Sequence, residues 1–232
     1  MRNTIHATAL VDSNVRIGSG NTIGAYCVIT GDVQIGDSNW FGPHCVIGTE
    51  AMFSTRKFEL NGQTAAGIKI GCQNVIREFT NINQPSRDQT VVEDDCYIMA
   101  YNYISHDTVI RSKAVIANNC QLGGFTEVGF GANLGLSASV HQFSTIGAYA
   151  MVGMGSVVGR DVLPFSRVVG NPLTLLGVNE VGMVRNGFDQ ATIELVSKVI
   201  AEGNTSRLAA ISPHAKLFFS RNAVTQRRIL EQ

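Results

Sequence analysis

Two histidines stand out in this chain because of the residues beside them. His106 precedes Asp107 within Ile104-Ser105-His106-Asp107, and His141 precedes Gln142 within Val140-His141-Gln142-Phe143. A carboxylate beside an imidazole can fix its orientation and stabilise its protonated form, as general-base catalysis requires. His106 with Asp107 is therefore the candidate for proton transfer, and a plain surface-turn histidine is the competing reading. His141 has no acidic neighbour, so the surface reading fits it better.

The element that must position these residues is written in the aliphatics before them. Val92, Ile98, Ile104, Ile110, Ile116, Leu122, Val128, Leu134, Val140, Ile146, Val152 and Val158 fall six residues apart without a miss. A helix of 3.6 residues per turn would scatter that period around its circumference. A parallel β-helix satisfies it, because three six-residue units close one coil of eighteen and successive coils stack. The residue two before each mark is usually small, as at Ala114, Cys120, Thr126 and Ala132. Earlier marks run from Ile5 to Ile47, and again at Ile70, Ile76 and Ile82. The two slips of phase place external loops near 49–67 and 84–91. Twenty-three marks make between seven and eight coils, a prism about 37 Å tall. Ile104 and Val140 lie two coils apart, which puts the two histidines on one face about 10 Å apart, too far to share a metal ion.

Glycines directly after aliphatics, such as Gly18, Gly24, Gly36, Gly42 and Gly48, suit φ > 0 or tight corners. Beyond Val158 the pattern decays through Pro164 and Gly170-Asn171-Pro172. The expected division is a β-helix over 1–172 and a helical cap over 173–232. Asp189 caps one helix with Ile193, Val196, Val199 and Ile200 on its apolar face, and Ser212-Pro213 opens a last one whose apolar residues run to Ile229.

The 232 residues carry no net charge, so no basic field draws the chain to nucleic acid. The start enters the repeat with no apolar stretch long enough for a signal peptide or membrane span, which reads as cytoplasmic. Cys27, Cys45, Cys96 and Cys120 occupy the small slot of the repeat and no CxxC pair occurs. The cysteines read as packing residues rather than redox or metal ligands.

The motifs carry a resemblance. Ile104-Ser105-His106-Asp107, Ala117-Asn118-Asn119, Leu122-Gly123-Gly124, Val140-His141-Gln142-Phe143, Gly182-Met183-Val184-Arg185-Asn186-Gly187-Phe188 and Phe218-Phe219-Ser220-Arg221 occur in the order and spacing of the UDP-N-acetylglucosamine O-acyltransferases, enzymes of lipid A biosynthesis. The resemblance implies a left-handed parallel β-helix of hexapeptide repeats, assembled as a homotrimer with sites between prisms. It implies transfer of a 3-hydroxyacyl group from acyl carrier protein to a UDP-linked amino sugar, with no metal and no cofactor beyond the carrier thioester. His106 would be the general base, Asp107 its orienting carboxylate, and Gly124 the N–H donor to the oxyanion. Asn118, His141, Gln142, Asn179 and Arg185 would contact donor or nucleotide.

The chain also departs from that pattern. Phe125 stands where the family has a histidine after the oxyanion glycine, and Asn83 and Tyr103 where it has two others. Lys57 matches a substrate-binding lysine, but Thr55 replaces its acidic neighbour. Lost hydrogen-bond partners change which polar substrates bind, so a paralogue acylating another nucleotide sugar, at oxygen or nitrogen, is the alternative. In the resemblance Met154 aligns with the position that measures acyl length, and packing against the next coil is the competing reading. Each buried methylene contributes about 0.8 kcal/mol, whereas one forced against a packed thioether costs roughly 1–3 kcal/mol, so acyl chains of about ten carbons are expected over about fourteen. Arg185, Arg207, Arg221, Arg227 and Arg228 make the C-terminal region locally basic, which reads either as a docking surface for an acidic carrier protein or as a solvated helix face. Two other classes compete. Zinc-dependent carbonic anhydrases share the scaffold but need three histidines meeting between subunits, against His106 and His141 in the central repeat. A non-catalytic trimeric scaffold would leave His106 without a task.

Overall fold

The computed structural model describes residues 2–52 and 66–230. Strands of two to five residues form three sheets, called here faces A, B and C, of ten, eight and nine strands, all parallel except the last strand of face A. Adjacent strands on one face are in register one coil apart, as in Asn81↔Tyr103 and Tyr103↔Gln121 on face B. Eight coils run from Thr4 to Val162, and Ser166–Val169 begins a ninth.

The repeat aliphatics point inward and fill the prism. Ile29, Ile47, Ile76, Ile104, Ile116, Val128 and Val152 are all fully buried, and the small slots at Cys27, Cys45, Ala114, Cys120 and Ala132 are buried beside them. Cys72 is half-buried, and all five cysteines are free thiols.

The corners need backbone that L-residues avoid, and non-glycine residues supply it. Tyr26, His44, Phe79, Tyr101 and Asn119 all have φ between 58° and 62° where face A turns into face B. A left-handed residue costs about 1–2 kcal/mol. Each of the last four donates its N–H to the coil beneath, as in His44 to Ala25 O and Tyr101 to Glu78 O, for about 0.5–1.5 kcal/mol. Tyr26, His44, Phe79 and Tyr101 also stack ring on ring at 4.8–5.1 Å, adding about 0.5–1.5 kcal/mol per pair. The two gains offset the strain. The glycines after aliphatics mostly serve close approach instead: a Cβ on Gly42 would lie 2.5 Å from Glu78 N, and among the five only Gly48 has positive φ.

Both slips of phase open where face B turns into face C. The second loop occupies 84–89, since Thr90 and Val91 already belong to strand Thr90–Val92. The first leaves strand Val46–Thr49 and re-enters before Ile68–Ile70; Thr55 and Lys57 lie outside the described residues.

The end of the prism departs from the sequence reading. Val162 follows Val158 by four residues instead of six, yet strand Asp161–Val162 pairs with Thr145–Ile146. An antiparallel strand, Thr174–Val178, then folds back on face A. Helices α1 (Glu180–Arg185), α2 (Gln190–Ala201) and α3 (Pro213–Thr225) come next, with a 3-10 turn over Thr205–Ala210. Asp189 and Ser212 cap α2 and α3 as expected. Ile229 is no helix residue: Gln226 takes a left-handed conformation that ends α3, and Ile229–Leu230 returns to face C beside Asp161–Val162. A second core joins helices to prism, with Met183, Val196, Val199 and Phe218 against Tyr149, Leu163 and Phe165.

Candidate active site

His106, Gly124 and Gln142 occupy equivalent places in three stacked turns between faces B and C, and Asp107, Phe125 and Phe143 come directly after them with φ of 58°, 60° and 66°. Asp107 points down toward the 84–89 loop, which closes on it. Its Oδ1 accepts the N–H groups of Arg87 (2.8 Å) and Asp88 (2.6 Å). Its Oδ2 accepts the N–H (2.9 Å) and hydroxyl (2.6 Å) of Ser86 and, at 2.6 Å, Nδ1–H of His106. Thr90 Oγ1 accepts the Asp107 N–H at 2.8 Å. Burial by itself would raise the Asp107 pKa, but the hydrogen bonds from His106, Ser86 and Arg87 outweigh it and hold the carboxyl well below its ordinary range. The carboxylate therefore stays ionised and fixes the imidazole with Nδ1 protonated, leaving Nε2 as the basic nitrogen.

The imidazole lies beneath Gly124. A Cβ there would meet His106 Cε1 at 2.5 Å and Nε2 at 2.8 Å, so glycine alone lets the turn rest on the ring. Phe125 stands edge-on to the imidazole at 5.3 Å, stacks on Phe143 at 4.7 Å, and carries the Arg87 guanidinium 5.1 Å from its ring centre. One side of the histidine is thus an apolar, cation-capped wall.

His141 shares this corner but not the place of His106. It is first after its aliphatic whereas His106 is second, and its exposed ring lies 2.9 Å, through Nδ1, from the carbonyl of Gln142. Asn83 lies at the end of a face B strand, 3% exposed. Its Nδ2 donates to Thr49 Oγ1 (2.9 Å) and Glu50 O (3.1 Å), which fixes the amide orientation. Among the described residues, its Oδ1, the neighbouring Asn81 Oδ1 and the Tyr103 hydroxyl are buried without hydrogen-bond partners. Burial raises the Tyr103 phenol above its ordinary pKa.

The other expected residues lie elsewhere on the chain. Asn118 and Met154 stand exposed on the corner between faces A and B, two coils apart, and Met154 is 70% exposed. Asn179 caps α1 by accepting from Gly182 N (3.1 Å) while donating to Tyr149 O (2.8 Å), so both ends of its amide are engaged within the chain. Arg185 ends α1 and is exposed. Of the basic C-terminal residues, Arg221 pairs with Glu127 and Arg227 with Asp161. Arg185 and Arg228 face outward, as does Arg207, whose guanidinium lies 3.9 Å from the Glu202 carboxylate. Among the described residues, no three His, Cys, Asp or Glu side chains converge as a metal site would need, and no helix is long and apolar enough to cross a membrane.

The sequence reading missed Ser86, the N–H groups of Arg87 and Asp88, and Thr90, which together cradle Asp107. The loop itself was visible as a slip of phase; its closure on the carboxylate was not.

The structure is thus a three-faced parallel β-helix with a histidine–carboxylate pair at one corner. The profile of the family described as Udp N-acetylglucosamine O-acyltransferase, Domain 2, matches residues 161–224. A protein of Thermodesulfovibrio yellowstonii named acyl-(acyl-carrier-protein)–UDP-N-acetylglucosamine O-acyltransferase is 49% identical over 135 residues, covering 57% of this chain and 52% of its own length. One of the same name from Thiobacillus denitrificans is 36% identical over 157 residues, covering 64% and 61%. The chain thus spans about half to three-fifths of the length of these curated relatives. The solved UDP-N-acetylglucosamine acyltransferase of Francisella novicida superimposes with a TM-score of 0.80 at 25% identity, covering 98% of this chain and 94% of that one. The chain is similar to the UDP-N-acetylglucosamine O-acyltransferases in sequence over part of its length and in fold over nearly all of it.

Proposed function

We propose that the protein is an acyltransferase that moves a 3-hydroxyacyl group from acyl carrier protein to the hydroxyl of a UDP-linked amino sugar such as UDP-N-acetylglucosamine. The observation that carries this is the His106–Asp107 pair, 2.6 Å between Nδ1 and Oδ2, lying under Gly124. Nε2 of His106 takes the proton from the attacking hydroxyl as its oxygen bonds to the thioester carbon. The negative charge that gathers on the thioester oxygen meets the Gly124 N–H. Collapse of the tetrahedral intermediate breaks the carbon–sulfur bond, and the imidazolium returns its proton to the leaving thiolate. Asp107 stays ionised throughout and stabilises the imidazolium.

The placement of Asn118 and Met154 on one corner and of His106 on another supports a homotrimer, in which the histidine corner of one copy faces the Met154 corner of its neighbour and the acyl chain runs between them. The outward Arg185, Arg207 and Arg228 support docking of an acidic carrier protein near the helices.

A second reading of the acceptor is favoured by Asn83 Oδ1, Asn81 Oδ1 and the Tyr103 hydroxyl, buried without partners among the described residues. Two of the three can only accept. An acceptor sugar with an additional hydrogen-bond donor there, such as an amine, would satisfy them, and acylation would then fall on nitrogen. The test is a panel of UDP-sugars, with and without a free amine, assayed with 3-hydroxyacyl carrier protein. Turnover of UDP-N-acetylglucosamine supports the first reading, preferential turnover of an amino-bearing analogue supports the second, and no turnover of any sinks both.

A further inference from the structure

Helix α3 sends one side chain back across face C. Arg221 donates from Nη2 to the carbonyl of Phe125 (2.7 Å), from Nη1 to Glu127 Oε2 (2.8 Å) and from Nε to Thr145 Oγ1 (3.1 Å). Glu127 is nearly buried, and its other oxygen accepts Arg111 Nε at 2.8 Å; Arg111 in turn reaches Glu93 at 2.9 Å. A ladder of alternating charge therefore runs from the helix down three coils.

What it grips is the turn that rests on the imidazole. Phe125 donates its N–H to the carbonyl of His106 (3.1 Å), its ring stands against the imidazole, and the preceding Gly124 covers the ring. The planar guanidinium fork binds a backbone carbonyl and a carboxylate on either side of Thr126 and so sets the angle of that turn. An ammonium group on a shorter reach could satisfy one acceptor, not three in this geometry.

We propose that Arg221 is a positioning residue: from the C-terminal helix it holds the Gly124–Phe125 turn at the height over His106 that acyl transfer requires. The inference rests on the acyl-transfer reading for the task of the turn; the placement of the imidazole it concerns exists in the free protein. It also makes Arg221 a poor candidate among the cations for a carrier protein, because each of its three nitrogens already donates inside the chain.

The test compares Arg221→Gln and Arg221→Lys with Asn222→Ala. Asn222 also ties α3 to the prism, donating to Asp161 Oδ2 at 2.9 Å, without touching the 123–126 turn. A turn shifted by a fraction of an ångström to 1 Å should lower kcat by about 10- to 100-fold, with KM for the acylated carrier within about twofold because binding precedes the misplaced step. Arg221→Lys should recover part of the loss, and guanidinium added to Arg221→Ala should recover more. Asn222→Ala should lower Tm while leaving kcat near wild type. The His106 imidazole resonances should shift in Arg221→Gln and not in Asn222→Ala, a readout that needs no turnover. If Arg221→Gln keeps wild-type kcat and unshifted His106 resonances, or if Asn222→Ala loses as much kcat, the proposal is overturned. Should wild type transfer no acyl group, the acyl-transfer reading falls while the resonances still decide the positioning. Should Arg221→Gln not fold, Arg221→Lys carries the same comparison.

Discussion

Replacing Gly124 by alanine places one methyl group against the ring of His106. The Cβ would stand 2.5 Å from Cε1, 2.8 Å from Nε2 and 3.1 Å from Nδ1. Carbon contacts settle at about 3.5–4.0 Å, so turn and ring must separate by about 1 Å. The backbone raises no objection, since Gly124 is outside the left-handed region. The ring cannot retreat freely, because Asp107 holds Nδ1 at 2.6 Å and the loop N–H groups hold Asp107. The turn is held by the Phe125 N–H and by Arg221. Overpacking of this kind costs roughly 1–3 kcal/mol, or about 2–4 °C of Tm per kcal/mol in a chain of this size. A misplacement of about 1 Å at a reacting group costs on the order of 100-fold in rate. The expected result is a folded Gly124→Ala protein with Tm a few degrees lower and kcat about 100-fold lower, measured as initial rates of acyl transfer. Wild-type kcat in a folded variant would refute the stacking of turn on imidazole as a requirement for the reaction.

The same geometry sets three further outcomes. The depressed pKa of Asp107 means that its contribution to stability is complete above the ordinary carboxylate value of about 3.9 and is lost as pH falls below it toward the folded value. Asp107→Asn should flatten the loss of the denaturation midpoint below about pH 4, and parallel wild-type and variant curves would contradict this. Met154 is largely exposed and so does not pack within its own chain; Met154→Gly should move the optimum of kcat/KM from about ten acyl carbons toward about fourteen, and an unchanged length profile would remove it from the groove. With Arg185, Arg207 and Arg228 outward, KM for the acylated carrier should rise with salt, whereas a KM independent of salt would argue that these cations merely face solvent.

The prism was legible because each coil reuses the same slots, so twelve aliphatics in one phase admit one architecture. The last strand of face C was not. Val162 breaks the phase by two residues, and its pairing with Leu230 depends on a left-handed Gln226 that no period announces. His106 with Asp107 could be read from adjacency alone. Beside the Ser86 hydroxyl, the cradle of Asp107 is made by backbone N–H groups of residues 86–88, and backbone donors leave no mark in residue type. Arg221 lies ninety-six residues from Phe125 and read as one more surface cation, because only the fold brings α3 across face C. Asn179 shows a different gap: the resemblance implies a ligand contact there, and nothing in residue type announces that its amide also caps α1.

The central claim is that His106, oriented by Asp107, is the base of an acyl transfer to a UDP-sugar. It is tested most directly by initial rates with 3-hydroxyacyl carrier protein and UDP-N-acetylglucosamine or its amino-bearing analogue, for wild type and His106→Ala side by side. The account expects wild-type transfer and a variant about 10²–10⁴-fold slower, with the fold intact by thermal melting. An unchanged rate in His106→Ala, or no transfer by wild type to any UDP-sugar, would contradict it.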